Sequence, residues 1–114
     1  MKAPLPYVVL GVRDLAASRR FWSDGLKRPV AGEWPGQVAV QGPGFDILLD
    51  ATGEIPAAPG IEIAFPYTPT AIESAVARIR PFRGPKDVGG PNGLEAAFRD
   101  PDGYLVTLFT GRPD

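Results

Sequence analysis

The sequence predicts an α+β fold made of two βαβββ modules in tandem, and three observations carry that expectation. The order strand, helix, three strands can be read twice along the 114 residues, from about residue 5 to 51 and from about 60 to 111. Glycine and proline, 14 of each, fall mostly between apolar runs, where they punctuate many short elements. Residues 98–109 join two strand-like runs through Asp100-Pro101-Asp102-Gly103. In that turn Pro101 fixes φ, the aspartate side chains cap nearby N–H groups and Gly103 accepts a positive φ, so a β-hairpin is expected near the C-terminus.

In the first module, residues 7–12 form a short apolar run with β-branched residues, a strand pattern. Asp14 follows as an N-cap, and Leu15, Ser18, Trp22 and Leu26 fall on one helical face. Strand-like pieces come next at 30–33, 37–40 and 45–50, separated by Pro35-Gly36 and Gly42-Pro43-Gly44. The loop 51–60 divides the modules. In the second module, residues 61–67 read as a strand and Thr70-x-x-Glu73 as a capping box, with Pro69 at or just before the helix start. Ile72, Ala75, Val76 and Ile79 then make an apolar stripe that Pro81 ends. The last strands are expected near Val88, at 94–98 and at 104–109, with Gly89-Gly90-Pro91-Asn92-Gly93 as a hairpin turn.

Composition removes several classes of function. The net charge of −1 gives no attraction for nucleic acid or an anionic membrane. Arg78, Arg80, Arg83 and Lys86 read as a solvated helix end and loop, because cations suit a helix C-terminus. With no cysteine there is no disulfide, thiolate nucleophile or iron–sulfur cluster. No apolar run approaches the roughly 20 residues of a membrane span, and residues 1–6 lack a signal-peptide core. A cytoplasmic protein forming one domain, 1–114, is expected.

Strand alternation assigns faces. Val8, Leu10 and Val12 suit the helix side of the first strand, leaving Tyr7, Val9 and Gly11 for the opposite face. Likewise Ile61, Ile63 and Phe65 pack inward, while Glu62 and Ala64 face the other way. The same split presents Asp46, Leu48 and Asp50, and later Leu105, Thr107 and Phe109, on the face away from the helices. A one-residue slip would invert any of these strands.

The segment from Val12-Arg13-Asp14-Leu15 to Phe21-Trp22, taken with residues 98–109, resembles the vicinal oxygen chelate superfamily, which contains glyoxalase I, extradiol dioxygenases and bleomycin-resistance proteins. The resemblance runs from about Tyr7 to Phe109. It implies the paired-module fold, with a curved mixed sheet around a cleft, and a homodimer. It also implies where metal ligands would stand: the first His position falls at Tyr7, the second at Glu62, and the carboxylate positions near Leu48 and at Thr107. The chain has no histidine, so only Glu62 is a good ligand where a divalent site needs about three. Asp46 and Asp50 would join only on a shifted register. No metal and no cofactor are therefore expected. A second departure lies after Leu26, where members usually carry glycine and this chain has Lys27.

Elimination narrows the chemistry further. Without histidine or cysteine there is no serine or cysteine triad. The serines Ser18, Ser23 and Ser74 lie on expected helices, and no phosphate-binding loop is present. Glu62 is the remaining candidate general base, with Tyr7 able to donate to a developing oxyanion; equally, Glu62 can pair with an arginine or a bound cation. Trp22 lies on the apolar stripe and reads as core, whereas Trp34 at a hairpin tip suits a binding wall or an interface. The expected function is metal-independent binding of a small aromatic or cationic molecule, as in the bleomycin-resistance-like members. The candidate contacts are Tyr7, Trp34, Asp46, Leu48, Asp50, Glu62, Leu105, Thr107 and Phe109. The alternatives are a metal-free lyase or isomerase with Glu62 as base, and an interaction protein whose cleft is plugged by Leu48, Leu105 and Phe109.

Overall fold

The structure is a computed structural model that describes residues 6–53, 60–87 and 93–111. The chain divides into two compact units, Met1–Ala58 and Pro59–Asp114. Each contains a four-stranded mixed sheet carrying helix on one side, in the order βαβββ that the sequence predicts.

In the first unit, β1 (Tyr7–Gly11) runs parallel to β4 (Asp46–Asp50), which pairs antiparallel with β3 (Gln37–Gln41), and β3 with β2 (Val30–Trp34). Alternation puts Leu10, Val38, Val40, Ile47 and Leu49 on one buried face, against which α1 (Leu15–Arg19) packs. Asp14 caps α1 as expected, its Oδ1 accepting the Ala17 N–H at 3.1 Å.

Beyond α1 the helix widens. Residues Arg20–Gly25 form a π-helical stretch, closed by the Leu26 N–H donating to the Phe21 carbonyl at 2.9 Å. The wider turn brings Phe21, Trp22, Gly25 and Leu26 together on the buried side. Periodicity alone placed Leu26 correctly, because its 3.6-residue spacing does not distinguish one slightly wider turn.

Lys27 then turns the chain with φ 62°, the left-handed conformation ordinarily left to glycine at a helix end. The residue after Leu26 therefore keeps the glycine geometry without the glycine. Lys27→Gly is expected to stabilise the protein by about 0.5–1 kcal/mol, the left-handed cost of the Cβ less the extra chain entropy glycine loses on folding. A urea midpoint unchanged by the substitution would show that Lys27 is unstrained.

The second unit repeats the plan. β5 (Glu62–Pro66) runs parallel to β8 (Leu105–Phe109), and β8 pairs antiparallel with β7 (Leu94–Arg99), and β7 with β6 (Arg83–Asp87). Ile63, Phe65, Ala96, Phe98, Val106 and Leu108 are buried on the side of α2 (Pro69–Arg78), whose Ile72 and Ala75 are fully buried. The capping box expected at Thr70 and Glu73 is not what starts α2. Thr68 is the N-cap, its Oγ1 accepting the Ala71 N–H at 3.1 Å, and Pro69 occupies the first helical position. Pro69 has no N–H to leave unpaired and a φ already suited to a helix, so the start lies two residues earlier.

A second correction concerns Arg83 and Lys86, which lie in an exposed edge strand rather than a loop. At an edge the missing N–H of Pro85 is tolerated, and the register shifts between Arg83 and Lys86. The expected strand near Val88 and most of the turn 89–93 lie outside the described residues. At the other hairpin, Gly103 takes φ 93° and Asp100 Oδ1 accepts the N–H groups of Asp102 and Tyr104, each at 2.9 Å.

Candidate functional site

The sheet of the first unit leaves one face free of its helix, and the registers decide what that face carries. Tyr7 pairs with Asp46 and Val9 with Leu48; Leu48 pairs in turn with Ala39, and Asp50 with Gln37; Gly32 pairs with Ala39 and Trp34 with Gln37. These residues share the face opposite Leu10, Val38, Val40, Ile47 and Leu49. They surround a recess of about 270 Å3 lined by Tyr7, Trp34, Gln37, Ala39, Asp46 and Leu48.

The recess has a small apolar floor and two aromatic margins. Ala39 is buried and Leu48 half-buried, while Tyr7 and Trp34 remain 64% and 55% exposed. Trp34 is carried to the edge by the tight turn Pro35-Gly36, where Gly36 adopts φ 75°. Among the described residues the carboxylate of Asp46, the hydroxyl of Tyr7 and the indole N–H of Trp34 have no protein partner. The site thus offers one carboxylate unengaged among the described residues, in a recess that two aromatic side chains also line.

Asp50, on the same face, is committed elsewhere. Its Oδ1 accepts the Thr52 hydroxyl at 2.6 Å and the Thr52 N–H at 2.8 Å. The Thr52 hydroxyl, the Thr52 N–H and the Gln37 side chain hold its carboxyl below the ordinary value of 3.8, outweighing a small opposing effect of burial. Because the folded-state value is depressed, this contribution is present above the ordinary value and is lost as pH falls through the depressed one. The Ala51 N–H also donates to the Gly36 carbonyl at 2.9 Å, tying the end of β4 to the Trp34 turn.

A second recess in this unit, about 410 Å3, lies on the helix side of the hairpin and is lined by Leu15, Ala16, Arg19, Glu33, Trp34, Gln37 and Val38. Its charged groups are satisfied by each other, since Arg19 pairs with Glu33.

In the second unit the corresponding face holds Glu62, Ala64, Leu105, Thr107 and Phe109. Glu62 is exposed and accepts the Thr107 hydroxyl at 2.6 Å across the parallel pair, while Leu105 and Phe109 are half-buried. Arg83 pairs with Glu95 at 3.3 Å on β6 and β7. Of the nine sequence-derived contacts, Tyr7, Trp34, Asp46 and Leu48 are gathered into one recess; Asp50 lies beside it. Glu62, Thr107, Leu105 and Phe109 share the face of the other sheet.

Sequence reasoning missed Gln37 and Ala39. The period-2 run Gln37-Val38-Ala39-Val40-Gln41 would have revealed them, since its valines must face the helix.

The donor set does not fit a divalent metal. Of the positions where ligands would stand, Tyr7, Leu48 and Thr107 bring neither imidazole nor carboxylate, and Glu62 is bonded to the Thr107 hydroxyl; Glu95, on the same face as Phe109, is paired with Arg83. Among the described residues no three His, Cys, Asp or Glu side chains are grouped to hold an ion.

A family model described as the glyoxalase/bleomycin resistance protein/dioxygenase superfamily matches residues 5–108. No curated protein matches the chain. A glyoxalase/bleomycin resistance protein/dioxygenase from Nocardioides is similar in structure, with 24% identity, 100% of this chain and 89% of that one covered, and a TM-score of 0.70. The oxidase ChaP-H2 shares 25% identity over 99% of this chain and 96% of its own, with a TM-score of 0.72. TnmS3, an antibiotic-binding protein from Streptomyces, shares 19% identity over 97% of this chain and 98% of its own, with a TM-score of 0.70.

Proposed function

This chain belongs to the glyoxalase/bleomycin resistance protein/dioxygenase superfamily, and we propose that it binds a small, planar, cationic organic molecule in the recess of its first sheet, without a metal. The observation that carries this reading is the Asp46 carboxylate, unengaged among the described residues, in one recess with Tyr7, Trp34 and an apolar floor. A flat cation suits such a site in three ways. Its ring stacks on the indole, its charge meets the carboxylate, and its apolar area covers Ala39 and Leu48. The antibiotic-binding protein TnmS3 has the same fold, which supports the reading by analogy alone. The proposal includes a cytoplasmic homodimer; among the described residues no helix is long and apolar enough to cross a membrane.

Titration with proflavine, a planar aromatic monocation, in the presence of EDTA tests the reading. At 100 times its Kd a ligand adds about 2.7 kcal/mol of stability, readily seen as a rise in Tm. Trp34→Ala and Asp46→Asn are each expected to weaken proflavine binding by about 10-fold, the worth of one good stacking or charge contact. Unchanged affinity in both variants would place the site elsewhere.

A second reading rests on Glu62, whose carboxylate is oriented by the Thr107 hydroxyl: a metal-free lyase or isomerase with Glu62 as base. Turnover with a sigmoid pH–rate profile that disappears in Glu62→Gln would favour it over simple binding.

A further inference from the structure

We infer that Gly32 fixes the pose of Trp34 and thereby decides which ligands the recess admits; the ligand-selecting part rests on the binding function proposed above. Gly32 and Trp34 lie two residues apart on β2 and project from the same face. A Cβ on Gly32 would stand 2.5 Å from Cη2 of the indole and 3.1 Å from both Cζ2 and Cζ3. Real Cβ atoms do not approach so closely. The Cη2 edge of the six-membered ring of Trp34 therefore lies against the bare backbone of Gly32, while the side chain as a whole stays more than half exposed.

Two further observations separate this from an ordinary strand glycine. Gly32 is not among the glycines with positive φ, so its backbone conformation does not itself require glycine. The ring requires it. The turn beyond Trp34 is also held in place, through the Gly36 carbonyl and Ala51 N–H at 2.9 Å and through Asp50, Thr52 and Gln37. A side chain added at position 32 cannot be absorbed by moving the hairpin, so the indole itself must lift toward the recess that it borders with Ala39 and Asp46. Lifted, it takes the room that a planar ligand would occupy. Gly32 is thus a positioning residue that acts through Trp34 and never touches the ligand.

The chain's two tryptophans make the test direct, because Trp22 is fully buried and a solute quencher reaches only Trp34. In the unliganded protein, Gly32→Ala is expected to increase acrylamide quenching and alter the near-UV circular dichroism, as the ring edge is lifted from the strand. It is also expected to weaken proflavine binding by roughly 3- to 10-fold, the range of a lost aromatic stack. In a Trp34→Ala background the same substitution should change proflavine affinity no further. Quenching and dichroism identical to the parent protein would overturn the inference, as would an equal loss of affinity with and without Trp34. If proflavine does not bind the parent protein, the proposed function fails, while the quenching comparison still decides the role of Gly32. Should Gly32→Ala alone not fold, the Gly32→Ala/Trp34→Ala pair is expected to fold; if the pair also fails, the strand and not the ring demands glycine, and the inference falls.

Discussion

Asp100→Ala is expected to destabilise the protein by about 2–4 kcal/mol, because hydrogen bonds to a charged acceptor are worth roughly 1.5–3 kcal/mol and their loss strands buried donors. Asp100 is only 4% exposed, and one of its carboxylate oxygens receives the N–H groups of both Asp102 and Tyr104. The backbone around it is closed by the Gly103 N–H on the Asp100 carbonyl and the Asp100 N–H on the Tyr104 carbonyl, each at 3.0 Å. Alanine keeps those backbone bonds and abandons the other two N–H groups. Asparagine keeps an acceptor but not the charge, so Asp100→Asn should lose about half as much. A fall in Tm of roughly 10 °C or more for alanine is the expected reading. A change within error would mean that Pro101 and Gly103 hold the turn unaided.

Trp22→Ala is expected to cost about 3–5 kcal/mol, the usual range for removing a large buried aromatic. Trp22 has no exposed surface and meets Phe21 edge-on, with ring centroids 5.6 Å apart and planes at 77°. The π-helical stretch brings both rings to the buried side, so a smaller side chain leaves a void that the widened turn has no means to close. Trp34→Ala, by contrast, removes a side chain that is more than half exposed and should change stability by no more than about 0.5 kcal/mol. Urea unfolding of the two variants separates the roles of one residue type. Comparable losses would mean that Trp34 is structural and that the recess is not a binding site.

Most of the fold was legible because its determinants are local. Asp14, Pro35-Gly36 and the Asp-Pro-Asp-Gly turn each act on backbone within about four residues, and period-2 alternation assigned the buried faces. The misplaced start of α2 shows where local rules compete: two threonines flank Pro69, and only the one before it can cap a helix that the proline begins. Arg83 and Lys86 were misplaced because a run of basic residues after a helix resembles a solvated loop, whereas an exposed edge strand carries such charges equally well.

The candidate site was legible only in part, because it depends on register between strands distant in sequence. Tyr7, Asp46 and Leu48 were readable from alternation. Gln37 and Ala39 were overlooked although the alternation of their own strand marks them, while the part played by Gly32 needed the path of the Trp34 side chain across its own strand. That Asp50 serves Thr52 and Gln37 while Asp46 has no partner among the described residues is likewise invisible in a sequence where both are strand aspartates.

The parallel pairing of β1 with β4, and of β5 with β8, also governs how the protein is made. Neither pair can close as a hairpin: about 40 residues separate Tyr7 from Asp46, and a similar length separates Glu62 from Leu105. Such distant pairings slow folding, because the loop must be closed before the contacts reward it. During synthesis at about 5–20 residues per second, β1 emerges roughly 2–8 s before β4, the strand it pairs with. Over that interval Leu10, later fully shielded, is in water on an unpaired strand. Nascent chains halted between β1 and β4 are thus expected to expose apolar strand surface that the finished protein hides.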